Sequence, residues 1–107
     1  MFLKISKNII EEEAKALLLL SRSLNTNYNK VVSLISKTTG NIILSGVGKS
    51  GHIARKIAST LTSTGTPAYF IHPTEASHGD LGSIRKKDIL CLFSKSGKSI
   101  ELLDLLN

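Results

Sequence analysis

The sequence contains no tryptophan, one cysteine and two prolines. A single cysteine excludes a disulfide framework and any zinc site built on cysteine pairs. That residue, Cys91, lies within the apolar run Ile89 to Phe93 and reads as a small buried hydrophobe, not as a nucleophile. Aromatic residues make up only 5% of the chain, and none is interleaved with the basic residues as a nucleic-acid surface would require. Long apolar runs are missing too. None reaches the roughly 18 residues of a membrane span, and residues 1–20 are interrupted by Glu11, Glu12 and Glu13, which is unlike a signal peptide. Neither a nucleic-acid nor a membrane partner is expected, and the expected location is cytoplasmic. Acidic residues are scarce, 8 against 14 Lys and Arg, for a formal net charge of +6. The basic residues are scattered apart from Arg85-Lys86-Lys87. They read as a basic surface around a local anionic-ligand site.

What is present is organised around residues 41–55, NIILSGVGKSGHIAR. The apolar run Ile42, Ile43, Leu44 stops at Ser45-Gly46. A turn containing Gly46, Gly48 and Gly51 follows, and a helical pattern begins near His52. Strand, glycine turn and helix is the arrangement by which α/β proteins aim backbone N–H groups at a phosphate. Ser50 adds a hydroxyl and Lys49 a cation. The plainer alternative is an ordinary βα turn that binds nothing.

Ahead of this stretch, residues 6–24 read as an amphipathic helix. Ser6 is its expected cap, and Glu11 to Glu13 lie near its positive end. A break is expected at Asn25-Thr26-Asn27 and a second helix over residues 28–38. Beyond the glycine turn, the pattern predicts a helix over 50–63 and a strand over 68–71. A short polar segment over 74–81 reads as loop or one or two helical turns. A further strand over 89–93 leads into a Ser-Lys-Ser-Gly-Lys-Ser turn, and a last helix starts at Ile100. Apolar, non-alternating strands separated by helices predict a parallel sheet covered on both faces. The expected fold is therefore a three-layer αβα domain with N-terminal helices, divided into a helical segment 1–40 and an α/β part 41–107. Three strands form a thin sheet, and the chain reads as the front part of a larger domain.

The two turns would lie at the carboxyl ends of parallel strands, where α/β proteins bind ligands. In the second turn Ser94, Ser96 and Ser99 place hydroxyls around Gly97 at a helix start, which suits a phosphate monoester. Simple capping by Ser94 or Ser96 is the alternative. The first turn is not a Walker A loop, because the required leading glycine falls on Ile43. Gly46, Gly48 and Gly51 do satisfy G-x-G-x-x-G, and Glu75 lies after the second strand, so a dinucleotide site competes. Against it stand Lys49-Ser50 within the motif and the second phosphate-type turn. Other polar candidates are His52, His72, Glu75, His78, Asp80 and Glu101. Moving a proton beside a sugar carbonyl needs a base, an acid and a group that stabilises the enediolate. Glu101 and Lys49, each just past a strand end, are placed to stand near one another. A histidine here is as well explained as a hydrogen-bonded structural residue. His78 and Asp80 lack a third metal donor, and no metal is expected.

Three segments together, Gly46-Val47-Gly48-Lys49-Ser50-Gly51-His52, then Ser63-Thr64-Gly65-Thr66-Pro67, then His72-Pro73-Thr74-Glu75-Ala76-Ser77-His78-Gly79-Asp80-Leu81-Gly82, closely resemble arabinose 5-phosphate isomerases of the KpsF/GutQ type within the SIS (sugar isomerase) family. The resemblance implies a flavodoxin-like sheet. It also implies interconversion of ribulose 5-phosphate and arabinose 5-phosphate through an enediol, on the route to lipopolysaccharide, without metal or organic cofactor. It implies a phosphate cradle at Ser50, Ser94, Ser96 and Ser99, catalytic roles for Lys49 and Glu101, and a site-facing His78. The chain departs from the family pattern at Lys95 and Lys98, where an amide and a Glu are usual. It also ends before the further strands, catalytic residues and CBS domains of the family. The expected partner is a sugar 5-phosphate. A homo-oligomer or a separately encoded C-terminal half is the other expected partner. Non-catalytic phosphosugar binding, or a degenerate remnant, is the alternative to an enzyme.

Overall fold

The computed structural model describes residues 1–77 and 80–97. The chain divides into two compact units, Met1–Leu34 and Ile35–Asn107.

The first unit is helical. Helix α1 covers Phe2–Ser23, and α2 covers Thr26–Lys37. The start of α1 differs from the expectation. Met1 is the N-cap and provides no side-chain hydrogen bond, so Ser6 lies inside the helix and caps nothing. Glu11 to Glu13 consequently sit mid-helix, and no acidic residue occupies the first turn. The break is shorter than the sequence suggests. Asn25 Oδ1 accepts a hydrogen bond from the Asn27 N–H at 2.9 Å, the capping interaction that lets α2 begin at Thr26. Neither helix contains a buried residue.

The second unit is built on a three-stranded parallel sheet in the order β2-β1-β3. Strand β1 is Ile42–Gly46, β2 is Ala68–Phe70 and β3 is Ile89–Phe93. Helix α3, Lys49–Ser63, connects β1 to β2. Between β2 and β3 lie a short helix α4, Pro73–Ser77, and a 3-10 turn, Asp80–Ser83. Ile42 aligns with both Ala68 and Ile89, and Gly46 aligns with Phe93. The carboxyl ends of β1 and β3 are therefore level, and the turns after them start side by side. The expected helix after residue 100 lies outside the described residues.

Every residue of β1 is buried. Alternate side chains of a strand point to opposite faces, and they divide the core in two. Ile42 and Leu44 pack with Ala54 and Ala58 of α3, with Ile57, Leu61 and Phe70 around them. Ile43 packs on the other face with Ile71 and Ala76, flanked by Tyr69, Ile84, Leu90 and Leu92. The small residues Ala54 and Ala58 let α3 lie close against β1. Ser45, fully buried, donates its hydroxyl to the Ile71 carbonyl at 2.6 Å, so the one polar side chain of β1 is satisfied.

The opposite end of the sheet is tied by side chains. Asp88 accepts from the N–H groups of Asn41 at 2.7 Å and Arg85 at 2.8 Å. These two bonds, more than the Arg85 charge, hold its carboxyl below the usual carboxylate range. Thr38 donates to the Lys87 carbonyl, and Gly40 packs so closely on that carbonyl that a side chain would collide with it.

Candidate functional site

The turn between β1 and α3 is Val47-Gly48. Gly48 has φ +61° and ψ −131°, a conformation that a side chain would strain. It is also the N-cap of α3, so no side chain caps that helix. No acidic residue occupies the first turn of α3, and Lys49 begins it. The positive end of the helix dipole is therefore uncompensated by carboxylate. Gly51 is buried against the end of β1, where an added Cβ would stand 2.6 Å from the Gly46 carbonyl oxygen. That contact seats the helix start directly on the strand end.

The turn after β3 begins at Ser94. Its Oγ accepts a hydrogen bond from the Gly97 N–H at 2.9 Å, and Gly97 takes φ +71° to complete the bend. Because Gly46 and Phe93 are in register, the two turns enclose a cavity of about 420 Å³ lined by Val47, Ser50, Phe93, Ser94, Lys95 and Ser96. It offers three hydroxyls, one cation and two apolar side chains, and among the described residues no carboxylate lines it. Such a surface suits a small anionic ligand with an apolar flank.

Three of the four hydroxyls singled out in the sequence, those of Ser50, Ser94 and Ser96, meet at this cavity. Lys49 is exposed at the adjoining helix start but does not line it. His78, Ser99 and Glu101 lie outside the described residues, as does Lys98. His52 is exposed on α3. The ring of His72 accepts from the Thr74 N–H through Nδ1 at 3.2 Å, a structural bond at the start of α4. Glu75 is exposed on α4. Among the described residues, no group of three His, Cys, Asp or Glu could hold a metal ion, and no helix is long and apolar enough to cross a membrane. Cys91 is half-buried, and burial pushes its thiol pKa up, which disfavours the reactive thiolate.

Sequence reasoning did not single out Val47 and Phe93 as cavity walls. Their signal was position alone, since each is adjacent to a strand end that the apolar runs had marked. Ser45 was likewise overlooked, although a hydroxyl closing the run Ile42 to Leu44 is a recognisable sign of a buried hydrogen bond.

The fold and the cavity over its strand ends define the class: a parallel α/β domain with a cavity between the turns that follow β1 and β3. Within that class, the profile of a family described as SIS domain matches residues 33–107. The chain belongs to the SIS domain family. It is 51% identical over 100 residues to arabinose 5-phosphate isomerase KpsF of Escherichia coli O6:H1, an alignment covering 92% of this chain and 31% of that protein. It is 44% identical over 105 residues to arabinose 5-phosphate isomerase KdsD of Yersinia pestis, covering 98% of this chain and 32% of that protein. A solved structure of an E. coli CFT073 protein in complex with arabinose 5-phosphate superposes with a TM-score of 0.90 at 40% identity, covering 98% of this chain and 56% of the other. The chain thus spans about a third of the length of these curated relatives.

Proposed function

We propose that the chain binds a sugar 5-phosphate, with the phosphate held between the two turns and the sugar extending from them. The hydroxyls of Ser50, Ser94, Ser96 and Ser99 and the positive end of α3 form the phosphate cradle, shaped by Gly46, Gly48, Gly51 and Gly97. The observation that carries this reading is the cavity at which three of those four hydroxyls converge. The relatives named as arabinose 5-phosphate isomerases, and the neighbour solved with that sugar phosphate, favour arabinose 5-phosphate as the ligand.

In the corresponding isomerisation, a base removes the proton from the carbon beside the carbonyl. The C–H electron pair becomes the second bond of an enediol, and the carbonyl oxygen takes up the charge or a proton. Reprotonation at the former carbonyl carbon, with loss of the hydroxyl proton on the carbon first deprotonated, gives the other sugar. We assign proton transfer to Glu101 and His78 and stabilisation of the enediolate oxygen to the Lys49 ammonium, with no cofactor. Binding without turnover is the second reading, favoured by a cavity whose described lining holds hydroxyls and one cation but no carboxylate or imidazole. A second copy of the chain, or a separate polypeptide, is the proposed partner, in the cytoplasm. The exposed leucines of α1 offer a contact surface for either. The residues before about 40 would serve assembly, and those from 41 onward the site.

A two-dimensional amide spectrum titrated with arabinose 5-phosphate tests the binding. Shifts confined to residues 46–51 and 94–99 are expected. A dispersed spectrum that does not respond would refute the reading. Turnover is tested separately, and activity that survives Glu101→Gln would remove the assignment of that residue.

A further inference from the structure

We propose that Lys95 determines the charge selectivity of this cavity, its ammonium meeting the dianionic phosphate that the serine hydroxyls orient. The inference rests on the phosphosugar reading and deepens it.

Among the described residues, Lys95 is the only charged one lining the cavity. It occupies the second position of the turn that Ser94 and Gly97 close, so the turn is built without its side chain. Among the described residues no carboxylate forms an ion pair with it, since the only salt bridge there joins Lys15 to Glu12. Among the described residues, then, no ion pair draws its stem away from the cavity it lines. Serine hydroxyls hydrogen-bond neutral and charged oxygens alike, and the α3 dipole acts on any anion at its end. A point charge adds what neither supplies, a preference that grows with ligand charge. Lys49 is the first residue of α3 and does not line the cavity, so it does not duplicate this role. A phosphate monoester, dianionic above its second pKa of about 6, gains more from Lys95 than a singly charged or neutral sugar.

The experiment titrates the 107-residue chain with arabinose 5-phosphate, arabinose and inorganic phosphate, at about 0.01 M and about 1 M salt, where the screening length falls from about 30 Å to about 3 Å. Lys95→Gln and Lys95→Arg are measured beside the parent chain. Lys95→Gln should weaken binding of the two phosphates roughly threefold at low salt, with the difference vanishing at high salt. Lys95→Arg should retain the parent's affinity and salt slope. The loss should shrink as the pH falls through about 6 and the dianion is protonated. Equal affinity and equal salt slope for the parent chain and Lys95→Gln would overturn the inference while the phosphosugar reading stands. A loss that is equal in Gln and Arg, or unchanged by salt, would mean that Lys95 shapes the turn, and would overturn it as well. A parent chain that binds neither phosphate would overturn the reading and the inference together.

Discussion

Strand β1 and helix α1 both carry a run of large apolar residues, Ile42 to Leu44 in one and Leu17 to Leu20 in the other, yet the two runs meet opposite fates. All five residues of β1 are buried, whereas none of the twenty-two residues of α1 is. The apolar residues of β1 have neighbours on both faces and both edges of the strand. Those of α1, Leu17 to Leu20 among them, remain exposed. Local pattern is enough to make a helix, but stability comes from apolar area removed from water. The free energy of this fold is therefore concentrated in β1 and α3, while the apolar residues of α1 stay exposed.

The strongest way to break that comparison is to truncate one side chain in each region. Ile43→Ala, at a site 0% exposed, should destabilise the second unit by about 2–5 kcal/mol, read as a fall in the urea midpoint. Leu18→Ala, at a site 59% exposed, should change stability by no more than about 0.5 kcal/mol. A comparable, concentration-dependent loss at Leu18 would show that α1 is covered in solution by another copy. Next in size is Gly51→Ala. The new Cβ, 2.6 Å from the Gly46 carbonyl oxygen, forces α3 off the strand end at a cost of about 1–3 kcal/mol. Because the helix start moves, phosphate affinity should fall together with stability; unchanged affinity would show that the cavity does not depend on how α3 is seated.

The smallest effect concerns Asp88. Its two backbone hydrogen bonds lower its folded pKa below the unfolded value. It therefore contributes stability that is complete above the unfolded pKa of about 4 and is lost as pH falls through the folded pKa. The gap in denaturation midpoint between the parent chain and Asp88→Asn should accordingly be constant near neutrality and close below about pH 4. A gap that persists unchanged at about pH 2 would mean that the carboxylate charge is not its source.

Much of this was legible from the residues. Apolar runs bounded by Gly, Pro and Ser marked the places of β1 and β3, and Gly46, Gly48 and Gly51 marked the turn into α3, because close backbone approach crowds a side chain at Gly46 and Gly51 and a positive φ strains one at Gly48. What failed was local and chemical. Ser6 has the right character for a cap, but a cap must lie outside the helix, and the preceding residues join it. Ser45 and Asp88 act on partners distant in sequence, Ile71 and Asn41, which no local pattern reveals. Of the site, the hydroxyls at Ser50, Ser94 and Ser96 were legible because each follows a strand end; that they share one cavity required the register of β1 with β3.

The strand order has a consequence for how the protein is made. Both neighbours of β1 follow it in the chain, since Ile42 aligns with Ala68 and with Ile89. As the polypeptide leaves the ribosome at about 5–20 residues per second, β1 emerges first and with neither edge paired. It gains one partner when β2 appears and the second only when β3 has cleared the exit tunnel. For several seconds the most deeply buried of the three strands is half-dressed, its apolar side chains still open to water.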